Sequence, residues 1–221
     1  MENKRRNFLK KSIVGLGGVG FLTGSAKAAI EVCQNIITPA QTEGPFYPIQ
    51  DQRDKDWDLT QVIGKSGTAR GEVVILNGVV QDPECKPIAG ALVEIWQACD
   101  TGKYNHPSDP NQAELDPNFQ YWGRATTDSE GRFKFKTIKP GAYPAAPGWV
   151  RPPHIHMKVH LRGFEEITTQ LYFKDELSLN RQDRILQRLP DHQRQSVIVD
   201  FQPNQQGVKE GNSVITLRSF L

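Results

Sequence analysis

Alternation with a period of two constrains this 221-residue chain more than any other feature of its sequence. Seven stretches after residue 70 largely alternate apolar with polar side chains. They are GEVVILNGVV (71–80), ALVEIWQ (91–97), GRFKFKTI (131–138), HIHMKVHL (154–161), TTQLYF (168–173), SVIVDF (196–201) and SVITLRSF (213–220). Successive side chains of a strand point to opposite faces, so these stretches read as strands with one face on a core. Turn-forming segments separate them: QDPECKP, DTGK, TDSEG and KPGAYP. Only LNRQDRILQRLP (179–190) carries a helical pattern, which Pro190 ends. Many short strands between Gly/Pro turns predict an all-β chain: an antiparallel β-sandwich with long loops and one short helix.

The first 28 residues stand apart. KRRNFLKKSIVGLGGVGFLTGSAKA carries Arg5-Arg6, a short glycine-rich apolar run and a small-residue cleavage site at Ala26-Lys27-Ala28. It resembles a twin-arginine export signal, with Lys4 where Ser or Thr is common, and the apolar run is too short and glycine-rich to suit a membrane span. The resemblance implies a periplasmic or extracellular protein, folded and loaded with any cofactor before export, and no membrane span once the signal is removed. The segment holds six of the basic residues against Glu2, so the chain's net charge of +2 becomes −3 for the remainder. The basic balance belongs to the signal, and nothing indicates a nucleic-acid surface. Residues 29–70, containing TPAQTEGPFYP, read as an arm with little regular structure that contributes to a pocket, and 71–221 as the sandwich domain. Cys33, Cys85 and Cys99 show no C-x-x-C spacing. Export permits a Cys85–Cys99 bridge, contributing about 3 kcal/mol in the loop-entropy model; two separate thiols are the alternative.

RPPHIHMKVH (151–160) carries the chemistry. On a strand, Ile155, Met157, Val159 and Leu161 share the core face, while His154, His156, Lys158 and His160 share the other. His154 and His156 are close enough to share a metal; His160 lies about 13 Å beyond His156 and cannot join them. A lone H-x-H pair is a weak signal. No glutamate follows at a cupin spacing, and no third histidine is placed for a zinc hydratase, so other residue types must complete a site. Tyr104 in WQACDTGKYNH and Tyr143 in KPGAYP both lie in turns at strand ends, where a sandwich can aim them at one point.

LVEIWQACDTGKYNHPSD, GRATTDSEGRFKFKTIKPGAYP, RPPHIHMKV, TTQLYF and TEGPFYP together resemble the intradiol ring-cleavage dioxygenases of the protocatechuate 3,4-dioxygenase type, over most of residues 38–175. The resemblance implies non-haem Fe(III) held by Tyr104, Tyr143, His154 and His156, with O2 as co-substrate and a catechol opened between its hydroxyls to a cis,cis-muconate. Phenolate and imidazole are fitting iron ligands, and a trivalent cation favours the deprotonated phenol. Tyr143 matches the ligand that the substrate displaces, Arg151 a residue that stabilises charge developing on the ring, and Gln170 a glutamine beside the iron. Thr42 and Pro45 match residues that line the substrate pocket. Trp149 is a further candidate substrate contact, with packing as its ordinary role. Catechol and hydroxyquinol enzymes of this family carry a helical N-terminal domain for which this chain has no room. Protocatechuate-type subunits pair with a related chain, so either a partner chain or a homo-oligomer is expected. No arginine is assignable to a substrate carboxylate, which leaves the catechol itself open.

A reading of another class competes. PIAGALVEIWQ followed by TDSEGRFKFKTIKPGAY also resembles transthyretin-like binders and repeats of surface adhesins, sandwich modules without a metal. RPPHIH and the second tyrosine argue against it. A hydrolytic zinc or copper site is disfavoured by phenolate ligands.

Overall fold

The computed structural model describes residues 35–220. The expected export signal and Cys33 lie outside them. The strands are β1 (Val73–Gln81), β2 (Leu92–Trp96), β3 (Trp122–Thr126), β4 (Arg132–Ile138), β5 (Tyr143–Ala146), β6 (Trp149–Arg151), β7 (His154–His160), β8 (Ile167–Phe173), β9 (Ile198–Val199), β10 (Gln202–Pro203) and β11 (Lys209–Thr216). They form a four-stranded sheet in the order β10-β11-β1-β4, a five-stranded sheet in the order β3-β2-β7-β8-β9, and a β5-β6 hairpin. Pairing is antiparallel except at β1–β11 and β8–β9, which run parallel. The expected antiparallel sandwich is thus slightly mixed. β11 returns from the far end of the sequence to lie beside β1, a pairing no hairpin turn dictates.

Alternation places the core. In β1 every second residue from Val74 to Val80 is buried, and in β4 Phe133 and Phe135 are buried between exposed Arg132 and Lys134. These pack with Val93 and Ile95 of β2, Ile155, Met157 and Val159 of β7, and Leu171 and Phe173 of β8 in one cluster between the sheets. Full burial of a side chain such as Leu76 or Phe135 stabilises by about 1.5–3 kcal/mol. Gly78 sits opposite Phe133 in the register, and a Cβ there would stand 2.1 Å from the phenyl ring. Its place in the strand is therefore set by the ring lying across it.

The helical stretch departs from expectation. Instead of one helix over 179–190, the chain makes α1 (Leu177–Gln182), a 3-10 turn at Leu186–Arg188, and α2 (Asp191–Ser196) after Pro190. Asp183 leaves helical geometry at ψ 117°. Its carboxylate accepts N–H bonds from Ile185 and Leu186 and binds Arg151, a set of partners a continuous helix would not allow. Ser196 closes α2, so only Ile198 and Val199 of the expected strand at 196–201 pair. Four strands escaped the alternation pattern: β3, the short β5 and β6, and two-residue β10.

Cys99 is a free buried thiol whereas Cys85 is disulfide-bonded, so the Cys85–Cys99 bridge does not form. Among the described residues no helix is long and apolar enough to cross a membrane. Residues 35–70 contain no paired strand beyond a single bridge of Asp58 to Lys136. They follow the five-stranded sheet closely at Gln41, whose N–H donates to Thr168 O at 2.8 Å, and insert Leu59 into the core.

Candidate metal centre

Strand register builds the floor of the site. On the outer face of the five-stranded sheet, Trp96 of β2 and Gln170 of β8 lie on either side of His156, and Tyr172 lies opposite His154. The Trp96 indole stacks on the His156 ring at 4.8 Å and 11°. An outward face should be wet, yet His154 and His156 are 2% and 3% exposed. A second, smaller apolar cluster covers them: Trp96, Ala98, Tyr104 and Trp122, with Phe46, Tyr47 and Tyr143 packed against it. As the alternation requires, Ile155, Met157 and Val159 face the core, and His160 is exposed beside Glu166.

Two turns deliver the phenols. After β2 the chain folds back with Cys99 N–H on Lys103 O, and Tyr104 N–H donates to Asp109 Oδ2 at 2.6 Å. The turn before β5 presses against this one, Gly141 N–H donating to Cys99 O at 2.9 Å. A Cβ on Gly141 would lie 2.3 Å from Asp100 O, so only glycine permits this approach. The result is a perpendicular contact of the Tyr104 and Tyr143 rings at 5.5 Å.

The four side chains converge. The Tyr104 hydroxyl lies 3.2 Å from His156 Nε2 and 3.3 Å from His154 Nε2, and the Tyr143 ring is 5.7 Å from that of His154. His154 Nδ1 donates to Pro152 O at 2.6 Å, which leaves its Nε2 with a lone pair facing the tyrosines. Burial, then the Arg151 charge, holds both histidines neutral: His154 falls well below the usual imidazole value and His156 to about 3. Burial also raises Tyr143, against the lowering effect of Arg151, and lifts Tyr104 well above an ordinary phenol with Tyr143 adding to the rise. No group of three or more His, Cys, Asp or Glu among the described residues is placed to hold a metal. Any ion here must therefore use the tyrosines. The donors fit one: two neutral imidazoles and two phenols crowd a dry point where only a cation would make phenolate the favoured form. Their spacing suits atoms sharing a metal, which stand about 3 Å apart for bonds of about 2.1 Å.

Arg151 is buried at 4% exposure beside this cluster. Its Nε donates to Asp183 Oδ2 at 2.7 Å and its Nη2 to Gln170 Oε1 at 2.6 Å. Gln170 in turn donates from Nε2 to Thr42 O at 2.7 Å, which ties the arm to the sheet. The Tyr172 hydroxyl lies 3.0 Å from Gln41 Oε1 and 3.1 Å from Gln170 Oε1. A cavity of about 850 Å³ opens over Tyr143 and Arg151. Thr42, Pro45 and Trp149 line it, as do Phe46, Ala145 and Ile185.

All the side chains singled out from sequence therefore lie in one neighbourhood: four donors at the floor, Arg151 and Gln170 beside them, and Thr42, Pro45 and Trp149 on the walls. Asp183 and Ile185 were missed, because an aspartate and an isoleucine inside a helix-like pattern give no signal. Asp109, the acceptor that fixes the Tyr104 backbone, likewise looks like an ordinary turn residue.

These features define a class, the β-sandwich with a two-tyrosine, two-histidine donor cluster under an open cavity. Residues 42–215 match the dioxygenase family, and the chain belongs to it. It is 42% identical over 160 residues to the protocatechuate 3,4-dioxygenase beta chain of Burkholderia cepacia, spanning 71% of this chain and 68% of that one. It is 32% identical over 179 residues to catechol 1,2-dioxygenase 2 of Acinetobacter lwoffii, covering 71% of this chain and 59% of that protein. The dioxygenase domain of a dioxygenase–carbohydrate-binding fusion from Streptomyces sp. SirexAA-E superposes with a TM-score of 0.62 at 27% identity, over 83% of this chain and 99% of that one. Membership places the chain with the dioxygenases rather than with transthyretin-like binders or adhesin repeats.

Proposed function

We propose that the chain is an intradiol dioxygenase that uses Fe(III) and O2 to open a catechol between its two hydroxyls, giving a cis,cis-muconate. The observation that carries this reading is the convergence of Tyr104, His154, His156 and Tyr143 beneath the cavity. These four would hold the iron, which when bound supplies Lewis acidity and redox access that let the electron-rich ring react with dioxygen. Tyr104 is the more deeply buried phenol, at 3% exposure, and serves as a fixed ligand. Tyr143 is partly exposed and lines the cavity, so of the two phenols it is the one a bound catechol would reach. Burial raises its proton affinity, so its phenolate oxygen would be placed to accept a proton from a catechol hydroxyl. Arg151 faces the cavity from a rigid frame of Asp183 and Gln170, fixing positive charge where charge develops on the ring. The cover of Phe46, Tyr47, Trp96 and Trp122 excludes water from the histidines.

The test is a visible absorption spectrum of the aerobically purified, iron-loaded protein, followed by anaerobic addition of catechol or protocatechuate and then oxygen. A broad red-brown tyrosinate-to-iron band that shifts with substrate, and muconate formation on oxygenation, are expected. A protein that stays colourless after iron reconstitution would refute the proposal. Export through the twin-arginine-like segment is part of it, tested by whether Arg5→Lys/Arg6→Lys retains the chain in the cytoplasm. Assembly with a related chain or with further copies is supported by the beta-chain relative, and light scattering of the purified protein tests it.

A further inference from the structure

We propose that Arg184 is a specificity residue at the cavity rim, selecting catechols that carry an anionic substituent; the inference rests on the ring-cleavage reading above. The charges inside the cavity are already committed. Asp109 accepts N–H bonds from Tyr104 and Asn111 through its two oxygens, and Arg151 is held by Asp183 at 2.7 Å and by Gln170 at 2.6 Å. No other charged side chain lines the cavity among the described residues. An acidic substituent on the ring therefore finds no free cation deep in the site.

Arg184 supplies one at the edge. It is exposed, and its guanidinium lies over the Trp149 indole at 5.3 Å, on a tryptophan that lines the cavity and also has Arg151 over its ring at 5.7 Å. No carboxylate among the described residues lies within ion-pair distance of it. Its chain neighbours fix where it sits. Asp183, fully buried, is bonded to Arg151 and caps the N–H groups of Ile185 and Leu186, and Ile185 also lines the cavity. A cation placed over an aromatic wall by a clamped backbone loses little freedom when it pairs with a ligand carboxylate. An arginine with no acid partner, next in sequence to cavity-lining Ile185 and over cavity-lining Trp149, is placed to recognise an anionic ligand.

The experiment compares protocatechuate with its neutral isostere 3,4-dihydroxybenzamide on the iron-loaded full chain. In the wild type, kcat/KM favours the acid, and that preference weakens as ionic strength rises. Arg184→Leu lowers the acid-to-amide ratio about two- to fivefold, the range of a partly screened ion pair. Arg184→Glu lowers it further, and Arg184→Lys retains part of it. A second readout is calorimetric binding of 4-hydroxybenzoate against 4-hydroxybenzamide, where the same ratio of dissociation constants shifts. If the wild type cleaves neither catechol, the ring-cleavage reading fails while this binding comparison still decides the role of Arg184. A ratio that Arg184→Leu and Arg184→Glu leave unmoved in binding would overturn the assignment.

Discussion

Replacing Asp183 with alanine probes the link between the sheet, the cavity wall and Arg151. The Asp183–Arg151 pair spans 2.7 Å with side chains 0% and 5% exposed, so removing the acid leaves a guanidinium buried without its counter-charge. Orphaning one member of such a pair costs about 3–5 kcal/mol. The fully buried Leu186 also loses the acceptor of its N–H, adding about 1 kcal/mol or more. A total of about 4–6 kcal/mol corresponds to a fall in melting temperature of about 10–20 °C for a domain of this size. Calorimetric or urea unfolding of the metal-free protein measures it. Asp183→Asn can keep the backbone cap and loses mainly the charge, so it should cost about 3 kcal/mol; adding Arg151→Met removes the stranded cation and should restore most of that loss. An Asp183→Ala protein within about 1 kcal/mol of wild type would refute the reasoning, as would a double variant no more stable than Asp183→Asn alone.

Gly141→Ala drives a methyl into Asp100 O, separating the turns that carry Tyr104 and Tyr143; iron per chain, measured by metal analysis, should fall by more than half while circular dichroism keeps its β signature. His154→Ala should abolish iron retention on dialysis, whereas His160→Ala, at the exposed end of the same strand, should retain it. The metal-free protein should lose stability in acid. His156 titrates near 3 and His154 well below its usual value when folded, against about 6.5 unfolded, so the unfolded chain binds more protons as pH falls through 6.5 toward 3. Each histidine contributes a slope of up to about 1.4 kcal/mol per pH unit, and urea midpoints at pH 7, 5 and 4 in the presence of chelator should fall accordingly.

The strands and their faces were legible because alternation is a local property. Val74, Leu76, Phe133 and Phe135 declare their burial within their own strands, and HIHMKVHL fixes that His154 and His156 look away from the core. The 183–190 region was misread because the partners that break its helix, Arg151 above all, lie some thirty residues upstream. The pairing of Cys85 shows the same limit: Cys99 is near it in sequence but packs unbridged in the core.

The sequence by itself determined the all-β class, the shared face of His154 and His156, and the donor types, since strand geometry and ligand chemistry need only neighbouring residues. It could not determine that this outward face is dry. That follows from the arm and two turns folding over it, bringing Tyr143 and the sequence-distant Phe46 and Tyr104 onto the histidines. Nor could it supply the Asp183–Arg151–Gln170 frame or set Arg184 against Trp149. Those are contacts between segments whose meeting depends on the register of β7 with β2 and β8 and on two glycine-permitted turns, and only the assembled sheets fix them.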